Sequence, residues 1–176
     1  MDVTPKSRVG FRNKSSNVYL KNPPRLLVRS ISCSKLADLT LPESVTIIGD
    51  KAFAVCGSLT SIGPVGSGAD LEIPNGVSSI RELTFANCKN LTTVVIPKSV
   101  VRIEYAAFKS CASLESFTLH SNVENIGGSL FRDCLVLFGL AFEGTESQWR
   151  AINKSGDWNK YSAIKEIICS NSTIRP

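Results

Sequence analysis

Acidic residues are nearly absent from the start of this chain: the first 35 residues carry eight Lys and Arg side chains and a single acid, Asp2. Residues 36–176 hold twelve basic and fourteen acidic side chains. The formal charge of +5 therefore sits in an N-terminal arm, and the rest of the chain is close to neutral. That balance argues against nucleic acid as a partner, and against a membrane except through the arm. Residues 1–24 have few branched apolar side chains and stop at Pro23 and Pro24, so a disordered, solvated tail is expected there. The same Arg- and Ser-rich composition also fits an organelle transit peptide.

Long apolar runs are missing too. No eighteen successive apolar residues occur, which excludes a membrane-spanning helix, and the N-terminus lacks the apolar stretch of an export signal, which points to the cytoplasm. Histidine is used once, as His120, with no residue visible in the sequence to orient it as a general base. HExxH, GxSxG and dinucleotide fingerprints are absent. Ala69 and Asp70 follow the glycines at 63–68 where a phosphate loop needs Lys and Ser or Thr. Neither an enzyme nor a cofactor is expected.

What is present is a repeat. Cys33, Cys56, Cys88, Cys111 and Cys134 are separated by 23, 32, 23 and 23 residues, each followed three places later by Leu36, Leu59, Leu91, Leu114 or Leu137. Three places before the last four cysteines stand Phe53, Phe85, Phe108 and Phe131; Ser30 takes that place in the first, partial unit. Further columns are Leu41, Ile73, Ile96 and Leu119, then Pro42, Pro74, Pro97 and His120. Val45, Val77, Val100 and Val123 follow, then Ile48, Ile80, Ile103 and Ile126. The long interval reflects nine extra residues at 63–71, whose Gly, Pro and Ser content predicts a flexible surface loop bulging from one coil.

Alternation in Leu39-Thr40-Leu41, Leu71-Glu72-Ile73, Val94-Val95-Ile96, Phe117-Thr118-Leu119 and Leu140-Ala141-Phe142 predicts short strands with the outer side chains inward. A lone strand cannot hide its apolar face, so stacking successive coils into a parallel sheet supplies the core. The cysteines then form a line of parallel side chains. Such a line suits neither disulfide torsions nor the convergent ligands of a metal site, and it predicts small buried hydrophobes. Cys169 lies outside the column and is the candidate redox-sensitive thiol.

The columns LxxLxLP, VxxI and FxxCxxL at 23 residues, over about 30–142, closely resemble the BspA-like (treponemal-class) leucine-rich repeats. His120 in place of Pro and the insertion are departures. The resemblance implies an α/β repeat: a right-handed solenoid with one parallel β-sheet face, short strands or helical turns opposite, and a C-terminal helical cap. The division expected is an arm at 1–24, about five coils at 25–142 and a cap at 143–176. Within the cap, Thr145 and Gln148 read as a capping box and Gly156 as the helix stop, with Trp149, Ile152 and Trp158 covering the last coil.

Function is then expected on the surface. The outward strand residues Thr40, Glu72, Val95, Thr118 and Ala141, flanked by Thr60, Thr93 and Ser116, form a stripe of little charge suited to a protein or glycan partner. The family resemblance implies adhesion at a cell surface, through an extracellular-matrix or surface protein. The alternatives are an intracellular interaction scaffold, suggested by reduced cysteines, and a solenoid tethered to nucleic acid or anionic membrane by the basic arm. A monomer is expected.

Overall fold

The structure, a computed structural model, describes residues 8–12, 17–21 and 39–176. Cys33 and most of the first partial coil lie outside them. Strands β1 (Arg8–Arg12) and β2 (Asn17–Lys21) pair antiparallel, Arg8 opposite Lys21 and Arg12 opposite Asn17. Regular pairing thus occurs in a segment whose composition suggested none; Val9, Phe11, Val18 and Tyr19 are residue types that favour strands.

Along the repeat the chain makes β3 (Leu39–Thr40), β4 (Ser61–Pro64), β5 (Leu71–Ile73), β6 (Ser79–Ile80), β7 (Thr93–Val95), β8 (Arg102–Ile103), β9 (Ser116–Leu119), β10 (Asn125–Ile126) and β11 (Gly139–Phe142). Helix α1 (Glu146–Ala151), β12 (Asn153–Lys154), β13 (Glu166–Ile168) and β14 (Thr173–Ile174) complete it. One sheet runs β14-β13-β11-β9-β7-β4-β5-β3, parallel except at β14, and a second runs β12-β10-β8-β6, parallel throughout.

A third side is built from turns. Two columns of residues sit in the left-handed region: Lys51, Leu83, Ala106 and Ser129 at φ 58°, 55°, 52° and 52°, and Val55, Asn87, Ser110 and Asp133 at 64°, 61°, 59° and 63°. They aim alternate peptide groups along the stacking direction. Phe53 N–H donates to Thr84 O at 2.9 Å, Phe85 N–H to Ala107 O at 2.8 Å and Phe108 N–H to Leu130 O at 3.2 Å.

The core between these sides is a file of aromatic rings. Phe53, Phe85, Phe108 and Phe131 stack at centroid distances of 5.5, 5.2 and 6.4 Å. The widest gap is the one where Phe117 meets Phe108 and Phe131 edge-on, at 4.9 and 4.7 Å. Beside the rings run Cys56, Cys88, Cys111 and Cys134, fully buried and in no disulfide. Their sulfurs also bond: Cys88 Sγ donates to Phe53 O at 3.2 Å, Cys111 Sγ to Phe85 O at 3.3 Å and Cys134 Sγ to Phe108 O at 3.2 Å.

The insertion corrects the expectation of a loose bulge. β4 holds the regular strand position, Ile62 opposite Val94, and the nine extra residues then make a small coil whose strand β5 slots between β3 and β4. Asp70 closes it, accepting the N–H groups of Thr60 at 2.6 Å and Ser61 at 2.9 Å together with the Thr60 hydroxyl. Gly66 and Gly68, at φ 83° and 74°, supply turns that a side chain would strain.

After residue 142 the expectation of a helical segment needs revision. Thr145 and Gln148 do form a capping box, with Thr145 N–H to Gln148 Oε1 at 2.8 Å. The helix has six residues and ends at Ala151, not near Gly156, because Ile152 turns extended and Asn153 pairs with Asn125 in the second sheet. Trp158 meets Phe131 at 6.3 Å and Trp149 at 5.5 Å, while Trp149 meets Phe142 at 5.4 Å. The aromatic file therefore bends over the end of the core.

Candidate interaction surface

Alternation along the large sheet turns one side chain in two away from the core. From β7 to β13 the register places Val95 beside Thr118, Thr118 beside Ala141 and Ala141 beside Ile168. A second outward line holds Thr93 beside Ser116, then Gly139 beside Glu166. Four strands at the usual spacing give a strip roughly 14 Å across. Glu166 carries its one charge.

The other sequence-expected residues are arranged differently. Thr40 lies in register with Glu72, but Glu72 accepts the Gly66 N–H at 2.9 Å and Thr60 is bound to Asp70. The residue in register with Thr93 is Ser61, not Thr60. The loop at 65–69 lies on the outward side of β4: Gly63 is buried, and a Cβ there would sit 2.5 Å from Ser67 Oγ and 3.2 Å from Ala69 Cβ. The stripe is thus interrupted. Val95, Thr118, Thr93 and Ser116 form one continuous surface, and Thr40, Thr60 and Glu72 lie with the small coil on its far side.

The structure adds an apolar border not singled out from sequence. Leu135, Val136 and Phe138 are 66%, 37% and 56% exposed at the entry to β11. Earlier units place Gly57, Ser58 and Thr60, then Lys89, Asn90 and Thr92, then Ala112, Ser113 and Glu115 at these positions. Reading those columns as well as the buried ones would have found it. Lys165 Nζ stands 5.7 Å above the Phe138 ring.

Groups with chemical potential are quiet by comparison. His120 does have a partner: its Nε2 is 3.5 Å from Glu143 Oε2, and Nδ1 accepts the Asn122 N–H at 3.3 Å. Among the described residues no hydroxyl or thiol bonds to that ring. The Cys111 thiol is held well above its ordinary pKa by the adjoining Cys134 thiol and by burial, and burial likewise raises Cys169. Both effects disfavour the reactive thiolate. No three His, Cys, Asp or Glu side chains group as metal ligands among the described residues, and no helix there is long and apolar enough to cross a membrane.

Stacked units of 23 residues, one parallel sheet along a side and a leucine, phenylalanine and cysteine core are matched by a family model: residues 67–148 match the BspA type leucine rich repeat region, in six copies. Over those residues the repeat is of the BspA-type leucine-rich kind. A leucine rich cell surface protein from Faecalibacterium prausnitzii A2-165 is similar in structure, with 30% identity, a TM-score of 0.63 and coverage of 76% of this chain and 35% of its own. A leucine-rich repeat protein from Bacteroides ovatus ATCC 8483 shares the fold at 20% identity and a TM-score of 0.51, covering 76% of this chain and 37% of its own. The chain thus spans little more than a third of either protein. No curated protein matches the sequence.

Proposed function

We propose that this BspA-type repeat is a non-catalytic, protein-binding scaffold: a right-handed solenoid, closed at its C-terminal end by residues 143–176, whose partner seats on the outward strip from β7 to β13. The observation that carries this reading is the strip itself. It is continuous, almost uncharged, and bordered by Phe138, Leu135 and Ile168, large apolar side chains left exposed. An exposed aromatic ring beside a surface almost free of charge matches the aromatic enrichment and charge depletion of interface cores. The similarity to a leucine rich cell surface protein supports a place at a cell surface, and adhesion to a surface or matrix protein is the role we propose there.

The test uses a photo-crosslinking amino acid at Thr118, and at the exposed turn residue Val55 as control, in host and bacterial extracts. A discrete covalent product from position 118, absent from position 55 and lost when Phe138→Asp is added, supports the reading. Equal labelling from both positions, or a partner still captured by Thr118→Arg, rejects it.

A further inference from the structure

The second, four-stranded sheet carries a groove of about 590 Å³ that stacking alone does not require. Its floor begins with one line of outward side chains, Arg102, Asn125 and Asn153, in register across β8, β10 and β12. The next line is Glu104, Gly127 and Ser155. A Cβ on Gly127 would sit 2.6 Å from backbone atoms of Glu104 and Tyr105, so the middle of the floor is bare peptide. Tyr105 forms part of the wall at 50% exposure.

The polar groups are left in complementary pairs. Asn153 Nδ2 donates to Asn125 Oδ1 at 3.2 Å, which frees the Asn125 amide N–H and the Asn153 carbonyl for a ligand. Glu104 receives the Ser79 hydroxyl on one oxygen at 3.3 Å and keeps the other. The Arg102 guanidinium has no ion pair or side-chain hydrogen bond among the described residues.

We propose that this groove binds a neutral oligosaccharide. Sugar hydroxyls both donate and accept, and they need a mixed set of planar polar groups at close spacing. The faces of a sugar ring need a flat aromatic side chain such as Tyr105. Neighbouring strands lie ~4.8 Å apart, close to the length of one pyranose residue, so Asn125 offers a donor and Asn153 an acceptor to successive sugars.

Other ligand classes fit less well. A peptide needs an apolar pocket for an anchor side chain, and Ile103 and Ile126 in the floor are only 0% and 2% exposed. An anion needs net positive charge, but Glu82 and Glu104 line the groove together with Arg102, and Lys154 Nζ is tied to the carbonyls of Trp149 and Ile152 at 2.6 and 2.8 Å.

The probes are cellotriose, chitotriose and mannotriose, each titrated into the full chain with ¹⁵N detection to millimolar concentration. Saturable shifts confined to Tyr105, Asn125, Gly127 and Asn153 are expected with at least one of them. Tyr105→Ala, which removes the stacking ring, should weaken that binding about five- to tenfold. Asn125→Ala should weaken it as well, and Thr118→Arg on the other sheet should leave it unchanged. No saturable shift with any of the three sugars, shifts mapping elsewhere, or binding only by a sulfated trisaccharide would overturn the proposal.

Discussion

Each described cysteine from Cys88 to Cys134 in the column donates its S–H to a phenylalanine carbonyl one unit earlier, so the thiol both packs and satisfies a buried acceptor. That bond requires the proton. The adjoining Cys134 thiol and burial raise the folded-state pKa of Cys111 above the ordinary 9.0. The unfolded chain therefore ionises this thiol first. Its stabilising effect is complete below about pH 9 and is lost as the pH rises through the folded-state value. The urea midpoint should hold between about pH 7 and 8 and fall by about pH 10, with a smaller fall in Cys111→Ala. A midpoint independent of alkaline pH, or a fall unaltered by that substitution, would contradict the assignment. The turn columns offer a second residue-scale prediction. Val55 is β-branched, 64% exposed and held at φ 64°, where Asn87 and Asp133 take the same role in later units. Left-handed backbone costs such a residue about 1–2 kcal/mol, so Val55→Asn should raise stability by about 1 kcal/mol. Chemical denaturation checks it, and a lower midpoint would show that the strain is relieved elsewhere.

At the scale of elements, period and alternation made β3, β5, β7, β9 and β11 of the large sheet legible but not β4, β13 or β14, because apolar residues hold a fixed spacing over several units only where equivalent positions stack on one another. The small coil was not legible. Gly, Pro and Ser at 63–68 serve a mobile loop and a tight turn equally, and what decides between them is the Asp70 carboxylate meeting Thr60 and Ser61 across a strand register. The helix start was readable from Thr145 and Gln148, whereas its end was set by Asn153 pairing with a distant strand. The candidate surface was half-readable for the same reason: the columns point side chains outward, but the loop covering Gly63 is a tertiary event. Asp70→Ala removes the carboxylate shared by the exposed Thr60 and half-buried Ser61 N–H groups, at a cost of about 1–2 kcal/mol. Proteolytic cleavage should appear within 65–69 in that variant, with amide protection in β7, β9 and β11 unchanged. Protection lost evenly across the sheet would mean that the small coil is integral to the stack. Deleting 63–71 joins Ile62 to Glu72 and recreates a 23-residue unit. That variant should fold with one strand fewer.

The molecule as a whole behaves as a row, in which each unit touches only its neighbours and stability is a sum of units and junctions. The ends of such a row are its weak points, and the aromatic file shows how one end is closed: Phe131 passes to Trp158, Trp158 to Trp149 and Trp149 to Phe142. Trp149 and Trp158 are 3% and 8% exposed although they belong to the irregular C-terminal segment. Trp158→Ala removes the ring that joins this segment to the phenylalanine stack, and a buried aromatic truncation costs about 3–5 kcal/mol. In a row the loss should be felt locally. Hydrogen exchange should speed up first in β13 and β11 and last in β7, and the bared Phe131 and Trp149 should drive self-association visible by light scattering. Phe85→Ala, with a ring removed from the middle, should instead loosen units on both sides of the gap. If both substitutions lowered protection uniformly from β3 to β13, the chain would be one indivisible cooperative block rather than a stack of coupled units.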